Sequence, residues 1–199
     1  AGDAITTAIR NVTIGRYAGS AIISGASNIV IGYAAGDAMT DTTTTVLIGE
    51  NAGGAINSTD ANGTVAVGYQ AGLNVTDGRY NTAVGYNAMY VNSGSDKNTA
   101  LGYAALTNMN GTDGDTLNTA VGYYAGGGAM TSIENTIMGA LAGDAITSGA
   151  RNTLMGYLAG SAINTGGYNT IIGRAAGQSI TSGAYNTALG SSALYSNQT

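Results

Sequence analysis

The chain has 199 residues, with 33 glycines and 13 tyrosines, and no proline, cysteine, histidine, tryptophan or phenylalanine. Charged residues are 9% of the total and the formal net charge is −5. These absences exclude a disulfide framework, a thiol nucleophile, a histidine-based triad and the usual zinc sites. The acidic balance argues against a nucleic-acid or anionic-membrane surface, and no apolar run approaches the ~18 residues a membrane span needs.

Along the chain a short apolar run ends in glycine eleven times, at Gly15, Gly32, Gly49, Gly68, Gly85, Gly102, Gly122, Gly139, Gly156, Gly173 and Gly190. The step is 17 residues throughout, except for 19 before Gly68 and 20 before Gly122. Alanine stands three residues after every one of these glycines, and asparagine four residues before nine of the eleven, with Thr45 and Thr64 at the other two. A unit such as NTLMGYLAGSAINTGGY, residues 152–168, is too short for a helical-repeat pair. It predicts two extended pieces, one of the NTAVGY type (residues 81–86) and one of the AITSG type (residues 145–149), because Ile, Val and Thr favour strands. The second piece ends in turn chemistry, as at Ser24-Gly25, Asp77-Gly78, Ser148-Gly149, Thr165-Gly166 and Ser182-Gly183. Two strands and two turns per unit predict an all-β, parallel β-solenoid, or β-roll, of about eleven 17-residue coils. It occupies residues 1–199 as a single repeat domain, a rod ~50 Å long at ~4.8 Å per coil. The extra residues of the two long steps predict loops at residues 57–63 and 109–117. The opening AGDAI recurs at residues 142–146, so the chain reads as a segment of a longer fibre.

The residue before each glycine is always sizeable and apolar, and Ile14, Ile31, Ile48, Val67, Val84, Leu101, Val121, Met138, Met155, Ile172 and Leu189 form the expected repeat core. The residue before that points to the other face, and it is apolar in ten of eleven units, Thr13 being the exception. A strand apolar on both faces is buried on both. One face can line the coil interior; the other needs a partner that the chain, fully used in building the rod, cannot supply. The expectation is self-association along the rod.

The candidate chemistry is sparse. The asparagine row suits a stacked hydrogen-bond ladder better than a sugar-binding row. Tyrosine follows the glycine at Tyr33, Tyr69, Tyr86, Tyr103, Tyr123 and Tyr157, and others precede the asparagine at Tyr80, Tyr168 and Tyr185. Tyr69, Tyr86, Tyr103, Tyr123 and Tyr157 are the candidate contacts to a subunit interface or a receptor, having an apolar body and a polar tip. Asp113-Gly-Asp115, Asp37 and Asp144 are the candidate oxygen ligands for calcium, but the calcium-binding nonapeptide is absent, and neither a metal nor a cofactor is expected. No unit concentrates carboxylates as a glycosidase cleft would, so no catalytic residue is assigned and the protein reads as non-enzymatic. A threonine row (Thr82, Thr99, Thr119, Thr136, Thr153, Thr170, Thr187) invites an ice-binding reading, but its outward-compatible neighbours read as Asn and Gly, and stacking explains the row equally well. The repeat glycines open no phosphate loop.

NTAVGYNA (81–88), NTALGYAAL (98–106) and NTALGSSAL (186–194) resemble repeats of phage tail-fibre proteins and tail-fibre-domain surface proteins. More loosely they resemble the head repeats of trimeric autotransporter adhesins. The resemblance implies a homotrimer of left-handed β-rolls, although the general preference of parallel crossovers is right-handed. It implies an extracellular structural fibre on a virion, with a bacterial surface adhesin or filament as the alternative, contacting itself and a cell-surface glycan or receptor, without membrane insertion. A polysaccharide-degrading spike is a more distant alternative.

Overall fold

In a computed structural model, which describes residues 1–57, 61–111 and 114–196, the residues before each repeat glycine are extended and the glycine ends the strand. The strands among the described residues are β1 (Val12–Ile14), β2 (Ile29–Ile31), β3 (Val46–Ile48), β4 (Val65–Val67), β5 (Asn74–Val75), β6 (Thr82–Val84), β7 (Val91–Asn92), β8 (Ser95–Asp96) and β9 (Thr99–Leu101). They continue with β10 (Asn108–Met109), β11 (Gly114–Asp115), β12 (Thr119–Val121), β13 (Ala129–Met130), β14 (Thr136–Met138), β15 (Thr153–Met155), β16 (Thr170–Ile172) and β17 (Thr187–Leu189). The eleven repeat strands β1, β2, β3, β4, β6, β9, β12, β14, β15, β16 and β17 pair in that order in one parallel sheet. Like stands beside like: Thr82 is opposite Thr99, and Thr99 opposite Thr119. The fold is therefore an all-β parallel solenoid, and its axial rows reproduce the repeat columns of the sequence.

The second wall departs from expectation. Among the described residues it forms strands only in the middle coils, as a four-stranded sheet β13-β10-β7-β5 and a two-stranded sheet β11-β8. Residues 145–149 are turn and bend, not strand. Corners with positive φ on either side leave few consecutive extended residues there, and single axial bonds such as Thr147 N to Asn164 O, 3.0 Å, join the coils instead. In the expected loop at 109–117, Gly114–Asp115 pairs in parallel with Ser95–Asp96, so part of that insertion rejoins the stack. Thr112 and Asp113, and residues 58–60 of the other insertion, lie outside the described residues.

The expected repeat core is also corrected. The fully buried strand residue is the one two before the glycine: Val30, Leu47, Ala66, Ala100, Ala120, Ile137, Leu154 and Ile171 are all inaccessible. The row Ile14, Ile31, Ile48, Val67, Val84, Leu101, Val121, Met138, Met155, Ile172 and Leu189 lies on the outer wall, half-buried or exposed. The reason is the narrowness of the coil. Its interior is closed by the alanine three after each glycine, buried from Ala18 to Ala176, and by one apolar residue of the far wall, such as Ile22, Met39, Ile146 or Ile163. In most coils that space takes one large side chain from the near side, and two positions share the task; in the coils of Gly68 and Gly122 neither supplies one, the pairs there being Ala66 with Gly72 and Ala120 with Gly126. Where the inward strand residue is Ala83 or Ala100, the position four after the glycine supplies buried Met89 or Leu106. Where the strand supplies Leu47, Leu154 or Ile171, that later position is Gly53, Gly160 or Gly177, and an added Cβ would meet the strand side chain at 2.6–3.0 Å. Interiors close-packed to this degree conserve volume and let the contributor change.

The repeat glycine is fixed twice over. Gly102 has φ +135°, and a Cβ there would stand 2.4 Å from the carbonyl oxygen of Gly122 in the next coil. The same close approach recurs from Gly15 to Gly173.

Candidate functional site

The asparagine row is structural. In the middle of the rod Asn118 donates from Nδ2 to Ser132 O at 2.8 Å, while its Oδ1 accepts from the Asn135 backbone N–H at 2.9 Å and Asn135 Nδ2 at 3.2 Å. The pattern repeats through Asn152, Asn169 and Asn186. From Asn81 to Asn169 these side chains are buried, so they cannot present a row to a sugar. The amide supplies both acceptor and donors to backbone groups that the corner leaves unpaired, which is why this position selects Asn.

Function must lie on the outer surface, and two features stand out. The first is the outer wall of the eleven-stranded sheet. The residues one and three before each glycine point outward, and no charged residue falls in either row. Ile14 is 58% exposed, Leu101 46% and Leu189 76%. In the first four coils both rows are aliphatic, from Val12 and Ile14 to Val65 and Val67; from Thr82 onward the outer row is threonine. The threonine row thus has Val, Leu, Met or Ile as its outward neighbours, not Asn and Gly, since the Asn side chains turn inward and the glycines carry none.

The second feature is a tyrosine ladder at one edge of that wall. The rings of Tyr69, Tyr86, Tyr103 and Tyr123 stack at centroid distances of 4.9, 5.1 and 5.2 Å, within 18° of parallel. Tyr124 closes its end, edge-on to Tyr123 at 4.9 Å. The ladder has the period of the coils, because each ring sits on the residue after a repeat glycine. Burial, and then the neighbouring phenols of Tyr124, Tyr86 and Tyr123, push the Tyr103 hydroxyl above its ordinary pKa. Stacking covers the ring faces, so the ladder offers ring edges and hydroxyl tips rather than a platform on which a sugar face can lie. Tyr157, the fifth tyrosine singled out in the sequence, stands apart beyond Ala140, with the Arg174 guanidinium over its ring at 6.0 Å. Tyr33 packs edge-on to Tyr17 at 5.9 Å.

The opposite edge carries a row that the sequence reading only touched on through its tyrosines, five residues before the glycine. There Arg151 Nε donates to Glu134 Oε2 at 2.7 Å, the same guanidinium bonds the Tyr168 hydroxyl, and Tyr168 stacks on Tyr185 at 4.9 Å. Lys97, one of the same row, pairs with Asp115 at 2.5 Å. The signal was present as a common offset from the glycine, spread over residue types too varied to read as one row.

The candidate calcium ligands do not converge. Asp37 and Asp144 hold the same turn position six coils apart, and Asp113 lies outside the described residues. Burial pushes the Asp144 carboxyl up, and its Oδ1 is buried without a hydrogen-bond partner. Among the described residues there is no group of three or more acidic, His or Cys side chains able to hold a metal, and no helix long and apolar enough to cross a membrane. Compared with known families, characterised proteins and solved structures, the chain matches none.

Proposed function

We propose that the chain is a non-enzymatic structural segment of an extracellular fibre of the phage tail-fibre type, a stiff rod whose copies associate side by side. The observation that carries this reading is the uncharged, in-register outer wall, which leaves Ile14, Leu101 and Leu189 about half exposed or more. Already partly covered, each such side chain gains a part of the about 1.5–3 kcal/mol that burial from full exposure is worth. The wall is also large enough. Eleven coils at ~4.8 Å and a strand width of three residues at ~3.3 Å give roughly 500 Å² per copy. Two such faces bury about 1,000 Å², the area a specific interface needs to reach. The repeats resembling tail-fibre sequences supply the fibre context. Contact with a cell-surface glycan or receptor would fall to the surfaces outside the wall.

Sedimentation equilibrium tests the association. The expected mass is a multiple of the single chain, and Val84→Asp with Leu101→Asp is expected to reduce it to the monomer while the far-UV spectrum stays β. A wild-type monomer, folded with its wall in water, would overturn the reading. Immunogold labelling with an antibody to the rod distinguishes its home. Decoration of virion tail fibres is expected, and decoration of a bacterial surface would assign the rod to an adhesin instead.

A further inference from the structure

We infer that the tyrosine ladder is an oxidative cross-linking site, at which a peroxide, acting through a one-electron oxidant such as a haem peroxidase, joins neighbouring rings into dityrosine and staples one coil to the next. Tyr69, Tyr86, Tyr103 and Tyr123 bring four phenols together in one row, at centroid distances of 4.9, 5.1 and 5.2 Å. Each of the four residues is 39–50% exposed, so an oxidant in solution reaches the row. The reactive carbons of a phenol radical are those beside the hydroxyl, on the ring edge that stacking leaves open. A turn of two neighbouring rings about their Cβ–Cγ bonds swings these carbons toward each other, and the χ2 torsion of tyrosine is broad enough to allow it. Successive coils hold the two rings side by side meanwhile, so the partners need no search. Tyr168 and Tyr185 stack at 4.9 Å as well, but there the Arg151 guanidinium sits on the Tyr168 hydroxyl. A cation beside a phenol opposes removal of its electron, which leaves the ladder as the favoured site.

In the coupling, each of two neighbouring phenols gives up one electron and its hydroxyl proton. The two radicals form a carbon–carbon bond between their ortho positions. The two ortho hydrogens then pass through water to the two oxygens and restore both phenols. The peroxide takes up both electrons and both released protons and leaves as two waters, so the product is lighter by two hydrogens. The chain has no cysteine, so no disulfide can lock its coils. The ladder begins in the coil after the first insertion, that of Gly68, and ends in the coil after the second, that of Gly122. Both of these coils lack a large near-side core residue. A Tyr86–Tyr103 bond closes a loop of 17 residues and a Tyr103–Tyr123 bond one of 20, lengths at which a cross-link restricts the unfolded chain effectively.

The test treats the folded chain with hydrogen peroxide and a haem peroxidase, separates it on a denaturing gel and digests the single-chain band with trypsin. Cleavage after Arg79, Lys97 and Arg151 places Tyr86 in peptide 80–97 and Tyr103 in peptide 98–151. The expected product is these two peptides joined, two hydrogens lighter than their sum, with dityrosine fluorescence and the bond placed at Tyr86 and Tyr103 by fragmentation. The urea midpoint of the oxidised chain is expected to rise by ~1–3 M. Tyr86→Phe keeps a ring in the stack but cannot couple, and it is expected to abolish the joined peptide while the Tyr103–Tyr123 link persists within peptide 98–151. A joined peptide that survives in Tyr86→Phe through Tyr80 or Tyr90, or dityrosine at Tyr157 in equal yield, would show ordinary surface reactivity and overturn the inference. So would dityrosine found only in bands above the single-chain mass, or tyrosine consumed without any link. Because the readout is confined to one chain, it is independent of the side-by-side association proposed above.

Discussion

Replacing Gly102 by alanine tests the stacking geometry at its tightest point. The substitution imposes two separate costs. A φ of +135° is one that L side chains rarely adopt, and holding a non-glycine residue there costs about 1–3 kcal/mol. The new methyl group would also stand 2.4 Å from Gly122 O and 2.8 Å from Gly122 C, both backbone atoms that cannot turn aside. Overpacking of this kind adds about 1–3 kcal/mol, for a total of roughly 2–6 kcal/mol. Gly190→Ala separates the two terms: φ there is +115°, and no atom lies within 4 Å of the added Cβ. That variant carries only the backbone cost, at the last coil, where few joints depend on it. Urea unfolding followed by far-UV circular dichroism, at one protein concentration, reads the difference. With a slope of about 1–3 kcal/mol per molar urea, a loss of ~3 kcal/mol moves the midpoint down by ~1–3 M. Equal shifts for Gly102→Ala and Gly190→Ala would refute the argument, because the close approach of successive glycines would then cost nothing.

Two further outcomes follow from the interior and the ladder. Asn118→Ala removes the acceptor of Asn135 N–H and the donor to Ser132 O, both buried; at about 1–3 kcal/mol per stranded group it is expected to cost ~2–5 kcal/mol by urea unfolding, and a loss below ~1 kcal/mol would mean that the row is dispensable. The Tyr103 phenol, raised by burial and by its neighbours, holds its proton longer in the folded chain than in the unfolded one. The folded state then binds more protons above pH ~10, so stability is full below that pH and falls as the pH rises through it. Tyr103→Phe is expected to flatten that fall, and an unchanged dependence of stability on pH would contradict the assignment.

The repeat columns were legible in the sequence because each coil meets only copies of itself, so every axial constraint reappears at a fixed offset. The repeat glycines, the alanine three residues later and the asparagine four before are each selected by contact with the next coil, and the structure uses all three. The two faces of the strand were harder to assign. Both are apolar, and the larger residues sit outside, so size pointed to the wrong face. The inward row varies from Ala83 and Ala100 to Leu154 and Ile171, and those two alanines make sense only beside Met89 and Leu106, which enter from another corner of the coil. That exchange is a three-dimensional relation with no one-dimensional period. The ladder was visible as recurring tyrosines with a break at Ala140, but not the way Tyr124 turns edge-on to close its end. The opposite edge was legible only in its tyrosines, because Lys97, Glu134, Arg151 and Tyr168 share a place and not a chemistry.

The run of buried amides has a mechanical consequence. Its bonds, like those of the main sheet, lie along the rod, so a pull on the two ends loads successive joints in series and the weakest joint sets the strength of the whole. The run is interrupted at Thr45 and Thr64, where a hydroxyl can donate once and an amide would donate twice. Under tension the rod is expected to yield first between its third and fourth turns, where the buried amides are missing.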